Sequence, residues 1–94
     1  MIGAKEGPKF ETRGFVATAA VAREVPQDEL LELFQRHLRG DWGKVCEEDR
    51  ELNEEALQTG DRLMSVYSLR SGRKLWIITE ADRSVTTALY PDEY

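Results

Sequence analysis

Two runs of strand-forming residues flank a short glycine-containing connection in the C-terminal half of the chain, and this pattern constrains the fold most. Residues 62–69 and 74–80 are rich in β-branched and aromatic side chains. Residues 70–73, which include Gly72, fit a hairpin turn between them. A third run over 84–90 predicts a further antiparallel strand.

The N-terminal half predicts one strand and two amphipathic helices. Residues 12–22 favour a strand through their β-branched and aromatic side chains. A helix is predicted over 27–39, because Pro26 suits a first turn. Asp41 can cap a second helix, which Gly60 ends. The apolar stripes are Leu30, Leu31, Phe34 and Leu38 in the first helix, and Val45, Leu52, Ala56 and Leu57 in the second.

These elements follow the order β-α-α-β-β-β, which predicts the α+β class. We expect residues 1–94 to form a single domain, because 94 residues suffice for one hydrophobic core. The two helices would cover one face of an antiparallel sheet and leave the other face open. Residues 1–10 are expected to be a flexible N-terminus.

The composition restricts location and cofactors. Cys46 is the only cysteine, which excludes an intramolecular disulfide and favours a reducing, cytoplasmic compartment. The N-terminus has neither the apolar stretch of a signal peptide nor a membrane span, so no membrane association is expected. No phosphate-binding glycine loop, dinucleotide fingerprint, zinc motif or cysteine pair occurs, so we predict no cofactor and no metal.

The negative charge is concentrated in the middle of the chain. Residues 27–60 carry 4 Lys and Arg against 10 Asp and Glu, a net charge of −6, whereas the whole chain has −5. This argues against a uniformly basic nucleic-acid binder, although arginines of the predicted sheet leave a local contact with RNA phosphate open.

His37 is the only histidine, and it lies on or beside the apolar stripe of the first helix. One interpretation is a partly buried imidazole that a neighbour satisfies. The other is a general acid or base, because imidazole exchanges protons near neutral pH. The sheet groups that would complete such a site are Arg62, Ser65, Tyr67, Thr79, Glu80, Arg83 and Thr86.

The polar sheet residues fall at shared positions. Ser65 and Tyr67 lie on one face, because strand side chains alternate with period two. Thr79, Glu80 and Thr86 lie near the turn that connects the last two strands. Such hydroxyls and charges predict an anion-binding cluster. The alternative is that threonine simply favours strands and that the charged residues form a solvated turn.

The second helix is strongly acidic, with Glu47, Glu48, Asp49, Glu51, Glu54 and Glu55 within nine residues. A solvated face is one explanation. The other is mimicry of DNA phosphates, by which an acidic protein occupies a basic groove of a nuclease or restriction complex. Asp49 and Asn53 are expected to pair with interior polar groups. Trp42, between two glycines, would close the core or stack on a base.

Three segments carry a resemblance to a known family. They are His37-Leu-Arg-Gly-Asp-Trp-Gly, then Cys46-Glu-Glu-Asp, and Trp76-Ile-Ile-Thr-Glu-Ala-Asp-Arg-Ser-Val-Thr-Thr. The chain resembles, over about residues 30–94, a small prokaryotic family labelled "plasmid-related protein". The resemblance implies an association with mobile elements and no particular mechanism.

In architecture alone, the predicted fold is similar to the ribonucleases of the barnase, colicin D and RelE group. That similarity implies His37 as acid or base, Arg62 and Arg83 as stabilisers of phosphate charge, and Ser65, Thr79 or Thr86 as positioning groups. Three hypotheses follow: an RNA-directed hydrolase, an acidic inhibitor or decoy of a defence complex (anti-restriction or anti-CRISPR type), and a plain protein-interaction module. The first predicts RNA as partner and the second a basic protein or nucleoprotein.

Overall fold

The structure is a computed structural model and describes residues 7–94. A four-stranded sheet forms the centre of this part of the chain. Its strands are β1 (Phe15–Ala17), β2 (Leu63–Ser68), β3 (Lys74–Thr79) and β4 (Thr86–Leu89). The helices of this range are α1 (Ala19–Glu24), α2 (Gln27–Leu38) and α3 (Glu47–Thr59), and a 3-10 turn over Pro91–Glu93 follows β4. The predicted α+β class and the order of the main elements are confirmed.

The predicted hairpin is formed by β2 and β3, which pair antiparallel with Leu63 opposite Thr79. β4 pairs antiparallel with β3, as expected. β1 instead pairs parallel with β4, so the sheet is mixed, in the order β1-β4-β3-β2, rather than wholly antiparallel. Parallel neighbours need a long crossover, which the helices and the hairpin between β1 and β4 provide.

The strand predicted over 12–22 is shorter than expected. β1 ends at Ala17, and Ala19–Glu24 is helical. Thr18 caps this helix, because its Oγ1 accepts a hydrogen bond from the Val21 N–H at 3.3 Å. The alanines that follow favour helix once the cap is in place.

α2 confirms the helix predicted over 27–39, but its buried face is rotated from the predicted stripe. Leu33, Phe34 and His37 are buried, whereas Leu31 is 59% exposed. Glu29 is also buried, and its carboxylate accepts a hydrogen bond from the Arg70 N–H at 2.7 Å. This contact joins α2 to the hairpin turn.

α3 begins at Glu47, and Asp41 does not cap it. Asp41 forms an ion pair with Arg36 at 2.7 Å instead. The residues between Asp41 and the start of α3 run beside β2, where the Lys44 N–H donates to the Val66 carbonyl at 2.7 Å. Gly43 makes this approach possible, because a Cβ atom there would lie 2.0 Å from the Val66 carbonyl oxygen. The second helix is therefore shorter at its start, and Val45 lies before it.

The free edge of β2 is also covered by a side chain of α3. The Asn53 amide donates to the Met64 carbonyl at 2.8 Å and accepts from the Met64 N–H at 3.1 Å. Asn53 thus satisfies both backbone groups as a further strand would. This confirms the expectation that Asn53 pairs with interior polar groups and fixes α3 against the sheet edge.

Two clusters of buried apolar side chains form the core. α1 and α2 pack on one sheet face, where Val21 and Phe34 join Tyr67, Ile77 and Ala88. The second cluster, next to α3, consists of Trp42, Ala56 and Leu63, with Phe10, Val45 and Leu57 packed against it. Trp42 closes the core, as one alternative predicted.

Two further predictions concern the chain's start and membranes. Phe10 packs against the second core cluster, whereas residues 1–6 of the segment expected to be flexible lie outside the described residues. None of the helices within residues 7–94 is long and apolar enough to cross a membrane.

Candidate functional site

Four of the predicted site residues meet in one hydrogen-bonded cluster beneath α2. His37 Nδ1 lies 2.6 Å from Ser65 Oγ, and His37 Nε2 lies 2.8 Å from Thr79 Oγ1. Thr79 Oγ1 lies 2.7 Å from Thr86 Oγ1. The strand register explains the convergence, because Thr79 and Thr86 are opposite each other and Ser65 lies on the same sheet face.

Thr12 extends this cluster and sets the direction of its hydrogen bonds. The Thr86 hydroxyl donates to Thr12 Oγ1 at 3.0 Å, and the Thr12 hydroxyl donates to the Gly14 carbonyl at 3.3 Å. Each hydroxyl has one proton to donate. Thr79 must therefore donate to Thr86, and its oxygen must accept the proton of His37 Nε2. The bare Nδ1 then accepts from Ser65, which assigns the Nε2–H tautomer.

The four predicted residues of the cluster are closed to solvent. His37, Ser65, Thr79 and Thr86 each have 0% of their surface exposed. Aromatic rings also contact the imidazole edge-on, with ring centres 5.5 Å away for Phe10 and 5.6 Å away for Trp42. The polar groups of His37 are thus satisfied by the protein itself.

Burial keeps His37 neutral. Burial and, as the smaller cause, the positive charge of Arg83 lower the pKa of His37 from 6.5 to about 3. Throughout residues 7–94, no buried side-chain nitrogen or oxygen lacks a hydrogen-bond partner. An imidazole that is neutral, enclosed and bonded at both nitrogens has the features of a structural group.

The His37 ring forms its hydrogen bonds with Ser65 and Thr79, and not with the other predicted site residues. Arg62 and Glu80 form an exposed ion pair at 3.9 Å. The Arg83 guanidinium donates to backbone carbonyls, including those of Asp61 at 2.7 Å and Ala56 at 3.1 Å. It thereby provides hydrogen-bond donors for carbonyl groups at the C-terminal end of α3. Tyr67 donates its hydroxyl proton to the carbonyl of Asp41, in the loop after α2, at 2.5 Å, and burial raises the pKa of Tyr67.

Residues that the sequence did not indicate also belong to the cluster. Phe10 and Thr12 come from the N-terminal segment, and Thr12 lies 74 positions from Thr86. Their spacing carried no signal, because the contact depends on β1 lying beside β4. Among the described residues, His, Cys, Asp and Glu side chains form no group of three or more that could hold a metal ion.

The acidic residues of α3 lie on the outside of the molecule. Glu47, Glu48, Glu51, Glu54 and Glu55 are exposed. Two of them have partners within the protein: Glu54 accepts from Trp42 Nε1 at 2.8 Å, and Glu47 lies 3.4 Å from Arg50. Within residues 7–94, no side chain forms an ion pair with Glu48, Glu51 or Glu55.

A groove of about 220 Å³ lies between α3 and the sheet face opposite His37. Its apolar lining comes from Leu52, Leu63, Met64, Ile78 and Tyr94. The predicted open face is therefore partly closed by the C-terminal residues, since the Tyr94 and Trp76 ring centres are 5.5 Å apart. Asp49, expected to pair with interior groups, instead lines this groove.

The chain matches no protein-family model, no curated protein and no solved structure. The resemblance to the plasmid-related family and the architectural similarity to the barnase group therefore stay predictions.

Proposed function

We propose that this protein is a non-enzymatic interaction module that binds a basic partner through the acidic surface of α3. The observation that supports this most directly is a set of exposed carboxylates that form no ion pair with any side chain of residues 7–94, namely Glu48, Glu51 and Glu55. Their spacing places them on neighbouring positions of one helix face. Like charges held together repel each other, and a basic partner relieves that repulsion.

The basic groove of a DNA-binding defence complex is the partner that fits this proposal best. Carboxylates along a helix offer the negative charge that such a groove normally receives from DNA phosphates. Occupying that groove is a role consistent with a prokaryotic protein associated with mobile elements, which is what the family resemblance implies. The acidic decoy is therefore the specific form of the module that we favour.

The RNA-directed hydrolase is the weaker proposal. His37 has no exposed surface, and its two nitrogens are occupied by Ser65 and Thr79. A general base has to reach the proton that it removes, either directly or through one water molecule. RNA degradation by the purified protein that disappears in the variant His37→Phe, with the fold retained, would restore this hypothesis.

A salt-dependent binding measurement tests the interaction module. The probe is a short lysine-rich peptide, titrated into the isotope-labelled protein at low and at high salt. We expect shifts of the backbone amides of α3 that weaken as salt rises. The triple variant Glu48→Gln, Glu51→Gln, Glu55→Gln should bind at least about tenfold more weakly, since three favourable charge contacts are lost.

The matched control removes three exposed carboxylates elsewhere, Glu11→Gln, Glu32→Gln and Asp92→Asn. Both triple variants have the same net charge, which changes from −5 to −2 when three carboxylates are neutralised. Equal weakening in the two variants would mean that only net charge matters, and it would overturn the proposed role of α3.

A further inference from the structure

The groove beside α3 has an apolar lining, and two of its apolar side chains are unusually exposed to solvent. Leu52 is 58% exposed and Tyr94 is 67% exposed, although both are large hydrophobic residues. Ile78, which also lines the groove, is only 3% exposed, so the groove has depth as well as apolar sides. Clustered exposed apolar side chains mark interaction sites more often than isolated ones.

The sides of the groove are held in place by contacts within the protein. The Asn53 amide holds α3 against Met64 through two hydrogen bonds, of 2.8 and 3.1 Å. The Tyr94 ring contacts Trp76, and the Arg62 guanidinium lies 5.3 Å from the centre of the Tyr94 ring. A partner therefore meets a groove that already exists, which lowers the entropy cost of binding.

The volume of the groove indicates what can enter it. About 220 Å³ is below the usual range for sites that enclose a whole drug-sized ligand, roughly 300–1,000 Å³. One leucine- or phenylalanine-sized side chain is a more suitable occupant. Single apolar anchors of this kind supply much of the binding energy at protein interfaces.

The charged residues around the groove indicate which partner residues would flank that apolar side chain. Glu48 precedes Leu52 by four residues and Glu55 follows it by three, so both lie on the same face of α3 as Leu52. Asp49 adds a third carboxylate to the lining. Arg62 is the basic residue that lines the groove, and its charge is balanced by Glu80 at 3.9 Å.

We propose that this groove receives one apolar side chain of a partner segment whose flanking lysines or arginines contact Glu48, Asp49 and Glu55. This inference rests on the proposed function, because it names the anchor of the same basic partner. A second copy of the chain is a poorer occupant, since each copy has a net charge of −5 and would bring acidic surfaces together.

Two lysine-rich peptides of equal length and charge test the anchor, one with a central leucine and one with serine at that position. We expect the protein to bind the leucine peptide about tenfold more tightly, as burial of an aliphatic side chain predicts. The variant Leu52→Gln should lose this preference. Leu31→Gln is the matched control, because Leu31 is an equally exposed leucine, on α2, at 59% against 58%.

The outcomes separate the two proposals. If both peptides bind wild-type protein equally, and the α3 glutamine variant weakens both, the anchor is refuted and the acidic interaction surface stands. If neither peptide binds in a salt-dependent way, both proposals are refuted. A dimer that forms at high protein concentration and dissociates in Leu52→Gln would overturn the anchor in favour of self-association.

Discussion

Acidification from pH 7 to pH 5 tests the buried state of His37 with little interference from other groups. His37 is the chain's only histidine, so no second imidazole titrates in this range. Carboxylates of unfolded chains titrate near pH 4 and are largely ionised above pH 5. The dependence of stability on pH between 5 and 6.5 therefore reports mainly on His37.

The sign follows from where the proton binds. In the unfolded chain His37 takes up a proton near its ordinary pKa of 6.5, whereas burial lowers its pKa in the folded protein to about 3. Between these values the unfolded state holds more protons, so stability falls as the pH falls. The loss is about 1.4 kcal/mol for each pH unit below 6.5, or ~2 kcal/mol at pH 5.

Urea unfolding at several pH values between 5 and 7.5 measures this loss. The matched variant is His37→Gln, which keeps a donor and an acceptor but does not titrate. It should be less stable than wild type at pH 7, and its stability should stay nearly constant down to pH 5. A wild-type stability that is unchanged from pH 7 to pH 5 would refute the buried neutral imidazole. The same slope in His37→Gln would assign the effect to other groups.

Two substitutions test the structure around the buried cluster. Thr79→Val preserves shape but removes the acceptor of the His37 Nε2 proton, and it should cost about 2–4 kcal/mol in urea unfolding because buried polar groups lose their partners. Thr87→Val, on the opposite face of β4, should change stability by less than about 0.5 kcal/mol, and equal losses in the two would contradict the hydrogen-bonded chain. Gly43→Ala should lower the melting temperature far more than Gly72→Ala. Both glycines have positive φ, +75° and +96°, but a Cβ atom on Gly72 meets nothing within 4 Å. Similar shifts would show that conformation alone, without the close approach, limits position 43.

The hairpin and the two long helices were predictable because their signals are local. Alternating strand residues flank Gly72, and the structure has the turn there, with the Gly72 N–H donating to the Leu69 carbonyl at 2.8 Å. Gly60 ends α3 in the left-handed conformation, as its position indicated. For these features, the pattern of neighbouring residues is enough to predict the element.

The start of the fold was less predictable, because long-range contacts determine it. The parallel pairing of Phe15 with Thr86 joins residues far apart in sequence, and no turn residue announces it. Asp41 has the right chemistry for a helix cap, but Arg36 lies close enough to bind its carboxylate and lowers the pKa of Asp41. In each case a tertiary contact overrides the local structural preference.

In the candidate site, too, the residue types could be predicted from the sequence, whereas their burial could not. The sequence indicated that Ser65, Thr79 and Thr86 could converge on His37. The strand register places the three hydroxyls on one sheet face and so accounts for this convergence. The surroundings of the imidazole, however, include the rings of Phe10 and Trp42, and Phe10 comes from a distant segment. A hydroxyl cluster around histidine has the composition of a catalytic site, yet full burial turns it into a hydrogen-bonded core. Binding of a partner requires exposed groups instead, and α3 has exposed carboxylates beside the groove that Leu52 lines.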